Sequence, residues 1–252
     1  MNDYLVAVIL GVVEGLTEFL PVSSTAHLRV CQALMGIELS DRYWTMFVIV
    51  IQVGAILCLP LYFRRTIWEY FTHFPNGPRG DRSLLTHPFT LVVVAFVFTA
   101  APTLLLTKLI GKNLESIVAM ASALLIGGVI MWAVDVFCSG PCERPRTERL
   151  DQMGLFQSVW IGLCQALSAI FPGTSRSMAT ISGGQLTGMS RSVALEFSFL
   201  LSIPTMIAAT GFDLLRFLEA GQAVNSLGSS RLDLHGAMLL AIGGMVSFVV
   251  AY

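Results

Sequence analysis

Charge is what this chain has least of. Asp, Glu, Lys and Arg make up 12% of its 252 residues, against about 25% in an ordinary soluble domain. Hydrophobic residues make up 55%, and the mean hydropathy is +0.74. That balance predicts an integral membrane protein. Positive charge is no more plentiful: the net charge is −1 and no dense basic cluster occurs, which excludes a nucleic-acid partner. The five cysteines (Cys31, Cys58, Cys138, Cys142 and Cys164) lie mostly in apolar runs, where they read as small buried hydrophobes. Cys138 and Cys142 suggest a metal pair, but no further Cys or His follows at ligand spacing. The first apolar run carries Asp3, Glu14 and Glu18, which a signal-peptide core would not, so that run is expected to belong to the mature protein.

What the chain does have is long apolar runs. A spanning helix needs about 20 apolar residues. Trp44 to Phe63, Pro88 to Ile110, Ser116 to Phe137 and Val193 to about Leu215 meet that length, and a fifth run extends from His235 to Tyr252. Residues 4–36 and 153–189 are apolar too, but each has a proline-centred polar break in its middle. A lipid-facing helix cannot tolerate such a break. Each is therefore expected to form a re-entrant hairpin: helix, break, helix.

The first break holds most of the polar chemistry. Glu14-Gly-Leu-Thr-Glu18-Phe-Leu-Pro21-Val-Ser23-Ser24-Thr25-Ala-His27 places two carboxylates, several hydroxyls and an imidazole in otherwise apolar surroundings. An ionisable group at membrane depth costs a few kcal/mol or more, so it marks a functional site by default. Glu14 and Glu18 are one turn apart and share a helix face, so one should be held protonated or both should face a cation. Pro21 ends the first half-helix, and Ser23, Ser24 and Thr25 offer N-cap hydroxyls to the next. A helix N-terminus suits phosphate, and His27 lies one turn beyond Ser24.

The two interrupted regions align without a gap at an offset of 151 residues. Gly11 falls on Gly162, Leu16 on Leu167, Pro21 on Pro172 and Ser24 on Ser175, while Thr17 meets Ser168 and Ser23 meets Thr174. Repeats with broken helices signal a site at the bilayer midplane. The second copy, Pro172-Gly173-Thr174-Ser175-Arg176-Ser177, has no acids: Gln165 and Ala169 stand where Glu14 and Glu18 stood. It adds Arg176, whose fork suits phosphate, and Gly173, which permits close backbone approach.

The repeat predicts a single membrane domain. Unit one covers about 1–137, a loop about 138–152, and unit two about 153–252, with the partner of the Ser116 helix expected beyond Tyr252. Loops 64–87, 138–152 and 190–192 would share one side, with eight Arg or Lys against five opposite, which makes that side cytoplasmic. Three spans between the hairpins would invert the second repeat, so that the hairpin tips meet near mid-membrane.

Other polar residues admit blander readings. Thr17, Thr25 and Ser182 can bond back to carbonyls, and Gln52 and Gly54 suit helix packing. Asp135 reads as interfacial. Glu196 could pair with Arg176 or Arg191, or face the helix dipole.

The Glu14–His27 and Pro172–Ser177 stretches resemble the two signature motifs of the undecaprenyl-diphosphate phosphatases, the bacitracin-resistance proteins. Gln52-Val-Gly-Ala-Ile56 and Glu196-Phe-Ser-Phe-Leu-Leu-Ser-Ile-Pro204 are similar to further segments of that family. The resemblance implies removal of the terminal phosphate of undecaprenyl diphosphate at a site open to the outer face of the bacterial plasma membrane. It places Glu14, Glu18, Ser24, His27, Ser175 and Arg176 on family site positions, with Ser23, Thr25, Gly173, Thr174 and Thr180 nearby.

Three schemes stand open: Ser24 as nucleophile with His27 shuttling its proton and Glu18 orienting His27, His27 as nucleophile, or a water activated by Mg2+ or Ca2+ on Glu14 and Glu18. The expected partners are a polyprenyl diphosphate and membrane lipids, and a homodimer is among the assemblies left open. A transporter or flippase for a lipid phosphate would use the same anion-binding breaks. It would have no use for a nucleophile beside a base.

Overall fold

The computed structural model describes residues 2–77, 80, 82–106, 117–138, 147–171, 173–224 and 234–252. Cys142 and Pro172, named above, and Arg79, Lys108, Lys112, Arg144, Arg146 and Arg231, which belong to the loop charges counted there, lie outside the described residues. Among the described residues the secondary structure is helical, apart from one isolated bridge between Thr147 and Met189. Ten α-helices run in order among the described residues: α1 (Asp3–Thr17), α2 (Ser24–Leu34), α3 (Arg42–Tyr62), α4 (Arg64–Thr72), α5 (Pro88–Leu106), α6 (Ile117–Cys138), α7 (Leu155–Ile170), α8 (Arg176–Leu186), α9 (Arg191–Val224) and α10 (Leu234–Ala251).

Among the described residues five stretches are long and apolar enough to cross a membrane: Arg42–Tyr62, Pro88–Leu106, Val118–Cys138, Arg191–Leu215 and Leu234–Ala251. These are the five expected runs, and the chain is a multi-pass membrane protein. Both interrupted regions are helix, break and helix, as α1–α2 and α7–α8. The short α4 was not expected. It buries none of its side chains and leaves Trp68 and Phe71 exposed between apolar spans, a pattern suited to the membrane interface.

The chain forms two compact units. The first comprises 1–20, 24–61 and 203–252. Its core is built from Val6, Ala7, Leu10, Leu28, Trp44, Phe47, Val48, Ile51 and Leu239. Lipid tails are as apolar as leucine, so helices in a bilayer associate through close packing rather than water exclusion. Glycine supplies the closeness here. A Cβ at Gly11 of α1 would lie 2.7 Å from the Gly243 carbonyl and 3.0 Å from Val246 of α10. At Gly54 of α3 it would lie 2.1 Å from the Gly244 carbonyl. Gly54 is thus a packing residue.

The second unit comprises 21–23 and 62–202. There α7 lies against α5, and a Cβ at Gly162 would come 2.4 Å from the Ala95 carbonyl. Thr99 donates to the Gly162 carbonyl at 3.0 Å, and Ser158 to the Leu91 carbonyl at 2.5 Å. The two units repeat one contact. Gly162 is 151 residues beyond Gly11 (162 − 11), and Val246 is 151 beyond Ala95 (246 − 95). Each unit therefore packs a first hairpin helix, through the same glycine, against a span that the repeat makes equivalent.

Overpacking a tight contact costs about 1–3 kcal/mol. Gly54→Leu should lower the thermal midpoint of the detergent-solubilised protein by several degrees. Gly211→Leu, at a position where a Cβ would meet nothing within 4 Å, should leave it in place. Equal midpoints would refute the packing role.

Candidate active site

The first break follows directly from its residues. Pro21 cannot donate to a helical ladder, and α1 stops at Thr17 with Glu18 as its last helical-type residue, its N–H on the Glu14 carbonyl at 2.9 Å. Ser23 adopts φ of +62°, a left-handed conformation that is uncommon outside glycine and concentrates at functional sites. α2 starts at the next residue. Glu14 is wholly buried, Glu18, Ser23 and Ser24 are buried, His27 is half-buried and Thr25 is exposed. Thr17 bonds back to the Val13 carbonyl at 2.6 Å, the bland alternative for that hydroxyl.

One contact organises this break. The Ser24 hydroxyl donates to Glu18 Oε2 at 2.5 Å. That is the length of a charge-assisted O–H···O− bond. Its position out of water, with both partners buried, strengthens it. Ser24 is thus bonded directly to the carboxylate expected to orient His27. The N-cap of the second break is a serine too.

There Ser175 is the N-cap of α8: its Oγ accepts from the Met178 N–H at 3.4 Å and lies 3.1 Å from the Ser177 hydroxyl. The Thr174 N–H donates to the Phe171 carbonyl at 3.1 Å. Arg176 opens the helix, so a guanidinium stands at the positive end of the helix dipole. That arrangement opposes the usual preference for anions at N-termini and concentrates positive charge for an anionic ligand. Gly173 has φ of +93°, and a Cβ there would lie 2.5 Å from the Met120 carbonyl of α6. The close approach it permits is therefore to protein backbone.

Thr180 is fully buried. Its hydroxyl contacts the Arg176 and Ser177 carbonyls at 3.0 and 3.1 Å and the Ser198 hydroxyl of α9 at 2.5 Å. It fixes the helix that carries Arg176. Gln185, at the far end of α8, donates to Asp135 Oδ1 at 2.9 Å, and Asp135 also pairs with Arg191. Asp135 is therefore a brace between α6, α8 and α9. Ser198 and Gln185 escaped sequence reading; two residues past Glu196, a polar side chain in an apolar run was the available signal for Ser198.

Arg191 is engaged by Asp135, and Glu196 instead lines a cavity of about 520 Å3 with Glu69, Tyr70, Glu148, Arg149 and Asp151. Residues from loops 64–87, 138–152 and 190–192 all contribute to it. Burial and the carboxylates of Glu196, Asp151 and Glu69 push the Tyr70 phenol up to about 12, with Arg149 opposing. Such a field repels phosphate, so this cavity is unsuited to the anion that the breaks attract. Among the described residues no cluster of three or more His, Cys, Asp or Glu is arranged to hold a metal ion. Glu14 and Glu18 remain a pair of carboxylates one turn apart.

Comparison with known proteins adds the family. Residues 7–252 match the family described as Bacitracin resistance protein BacA. The chain belongs to that family. It is 60% identical over 256 residues to the undecaprenyl-diphosphatase of Koribacter versatilis, covering 100% of this chain and 87% of that protein. It is 39% identical to the undecaprenyl-diphosphatase of Laribacter hongkongensis, covering 98% and 86%, and 38% identical to that of Caldanaerobacter subterraneus, covering 97% and 82%. The family match spans both breaks.

Hydrogen bonds between membrane helices are worth about 0.6 kcal/mol on average and up to about 1.7. A double-mutant cycle of Thr180→Val and Ser198→Ala, read by unfolding in detergent, should give a coupling within that range. Purely additive effects would mean that the two hydroxyls do not hold α8 to α9.

Proposed function

We infer that this protein is a membrane-embedded phosphatase that hydrolyses undecaprenyl diphosphate to undecaprenyl phosphate and inorganic phosphate, recycling the lipid carrier used in cell-wall synthesis. The observation that carries this reading is the 2.5 Å bond from the Ser24 hydroxyl to the Glu18 carboxylate, in a family whose relatives bear the undecaprenyl-diphosphatase name. Binding or carrying a lipid phosphate needs anion contacts. A serine hydroxyl pressed on a buried carboxylate is the equipment of nucleophilic catalysis.

In the reaction, Ser24 Oγ attacks the terminal phosphorus while its proton passes to Glu18. The bond from that phosphorus to the bridging oxygen breaks, and undecaprenyl phosphate leaves. His27, one turn along α2, supplies a proton to the departing phosphate and then takes one from the water that hydrolyses the phosphoserine. Hydrolysis releases inorganic phosphate and returns the proton to Ser24. Arg176, Ser175 and the first N–H groups of α8 neutralise the phosphoryl oxygens, where charge builds up in the transition state. Ser23, Thr25, Gly173 and Thr174 are assigned to the substrate-binding surroundings, and Thr180 to holding Arg176 in place.

Glu14 and Glu18 suit Mg2+ or Ca2+, hard cations that take carboxylate oxygens and fill their remaining positions with water and phosphate. Such an ion would neutralise diphosphate charge. The repeat is supported by the matched Gly11–Val246 and Gly162–Ala95 contacts, three spans between the hairpins would invert the second copy, and the loop charges favour a site open to the outer face of the inner membrane.

Purified protein in detergent should release phosphate from undecaprenyl diphosphate without any membrane gradient. Ser24→Ala should abolish release while substrate still binds. Glu18→Gln, which keeps an acceptor but loses the base, should lose about 10^2- to 10^4-fold. Arg176→Lys, which loses the bidentate fork, should fall by a similar factor with the fold intact. A chelator should slow the wild type if the carboxylate pair holds a metal. Substantial turnover by Ser24→Ala would eliminate the serine mechanism.

A further inference from the structure

Three helices of the first unit run side by side in one direction. His235 Nε2 of α10 lies 3.5 Å from Asp3 Oδ2 of α1. Further along the pair, Cβ atoms at Gly11 and Gly15 would lie 2.7 and 2.8 Å from the Gly243 and Ser247 carbonyls. Each of these contacts joins residues 232 apart (235 − 3, 243 − 11, 247 − 15), so the two helices are parallel and in step. α3 keeps pace with them. A Cβ at Gly243 would lie 2.5 Å from Phe47 and 2.9 Å from Ile51, and Cys58 donates to the Ala251 carbonyl at 3.3 Å.

Leu10, Phe47 and Ile51 belong to one buried apolar cluster, and Gly243 faces the same two side chains of α3. Residues four apart lie on the same helix face. One turn past Leu10, Ile51 and Gly243 stand Glu14, Ala55 and Ser247, and all three are wholly buried. The apolar core therefore ends in a layer that holds a carboxylate, a hydroxyl and a single methyl group. A serine in an apolar helix commonly bonds back to a carbonyl three or four residues before it, as Ser202 does to Phe199 at 2.7 Å. Ser247 does not: its Oγ has no hydrogen-bond partner among the described residues. Leaving a buried hydroxyl unsatisfied costs stability, and alanine would fill the same space without that cost.

We propose that Ser247 supplies a further oxygen to a hard divalent cation held by Glu14. The three side chains of the layer offer oxygen and no nitrogen or sulfur, which selects Mg2+, Ca2+ or Mn2+ over softer metals. Mg2+ keeps several of its waters and is commonly bound through one or two carboxylates, so no larger cluster of acids is required. Glu18, a turn beyond Glu14 on α1, has one carboxylate oxygen engaged by Ser24. Ser247 gives the acid pair an oxygen from a second helix. The use of the ion, neutralising the diphosphate, rests on the phosphatase reading; its binding does not.

Binding is read on the purified protein in detergent by the fall in the electron paramagnetic resonance signal of free Mn2+, with the site defined as the one that Glu14→Gln removes. Ser247→Ala should weaken that site about tenfold or more, the scale on which losing one supporting group lowers metal affinity. With chelator present, the thermal midpoint of Ser247→Ala should equal or exceed that of the wild type, because the hydroxyl it removes has no protein partner. Ser202→Ala should leave Mn2+ affinity unchanged. Equal Mn2+ affinity in the wild type and Ser247→Ala would overturn the proposal. So would a midpoint that falls in chelator, which would make Ser247 a structural serine, or a wild type with no Mn2+ site that depends on Glu14. Phosphate release from undecaprenyl diphosphate, measured on the wild type alongside, separates the two readings: its absence with every cation overturns the phosphatase and leaves the Mn2+ result in force.

Discussion

Irregular backbone at membrane depth is tolerated only where protein shields it from lipid, and two such stretches interrupt this chain. Everything around them follows from that constraint. A helix break needs neighbours close enough to keep hydrocarbon away from its exposed N–H and C=O groups. Glycine at the contact is the most economical way to bring them near. Gly11 and Gly15 let α1 close on α10, and Gly162 lets α7 close on α5. Thr99 and Ser158 then fasten the second pair through carbonyls of the partner helix. The shielding is thus built from small residues and backbone hydrogen bonds, and the larger apolar side chains of the outer faces are left to lipid.

The same glycines show what a sequence discloses. Gly11 and Gly162 align at the repeat offset, so their equivalence was legible, and the structure gives it a cause in the matched partners Val246 and Ala95. Pro21 announced the first break because a residue without an N–H cannot continue a ladder. The five spans were legible because length and hydropathy are local properties. Long-range pairing was not. Asp135 reads as an interfacial acid in isolation, yet its partners Gln185 and Arg191 lie about fifty residues away. Gly173 reads as a ligand approach, and its close packing on Met120 could not be read beside it. Nothing in the order of residues specifies which helix will lie beside a break.

The direct Ser24–Glu18 bond is a subtler case. Residues i and i+6 do not face each other on a continuous helix, so no periodicity predicts the contact. The break itself creates it: the chain turns at Pro21 and Ser23 and returns Ser24 to the acid at the end of α1. The left-handed φ at Ser23, worth about 1–3 kcal/mol of strain, is part of that turn. A conformational cost is therefore placed beside the bond on which the proposed chemistry depends.

The two breaks share an architecture but not a charge. The first has two acids and no arginine; the second has Arg176 and neither acid. A hairpin that carried the base alone would repel a diphosphate, and one that carried the guanidinium alone would bind phosphate without attacking it. Duplication of a helix break supplies the same polar backbone twice. In the proposed mechanism, the residues that differ around it would give activation to one copy and anion binding to the other. Reversing that division by charge, with the acids removed and the arginine kept, should leave a protein that holds lipid phosphate and no longer cleaves it.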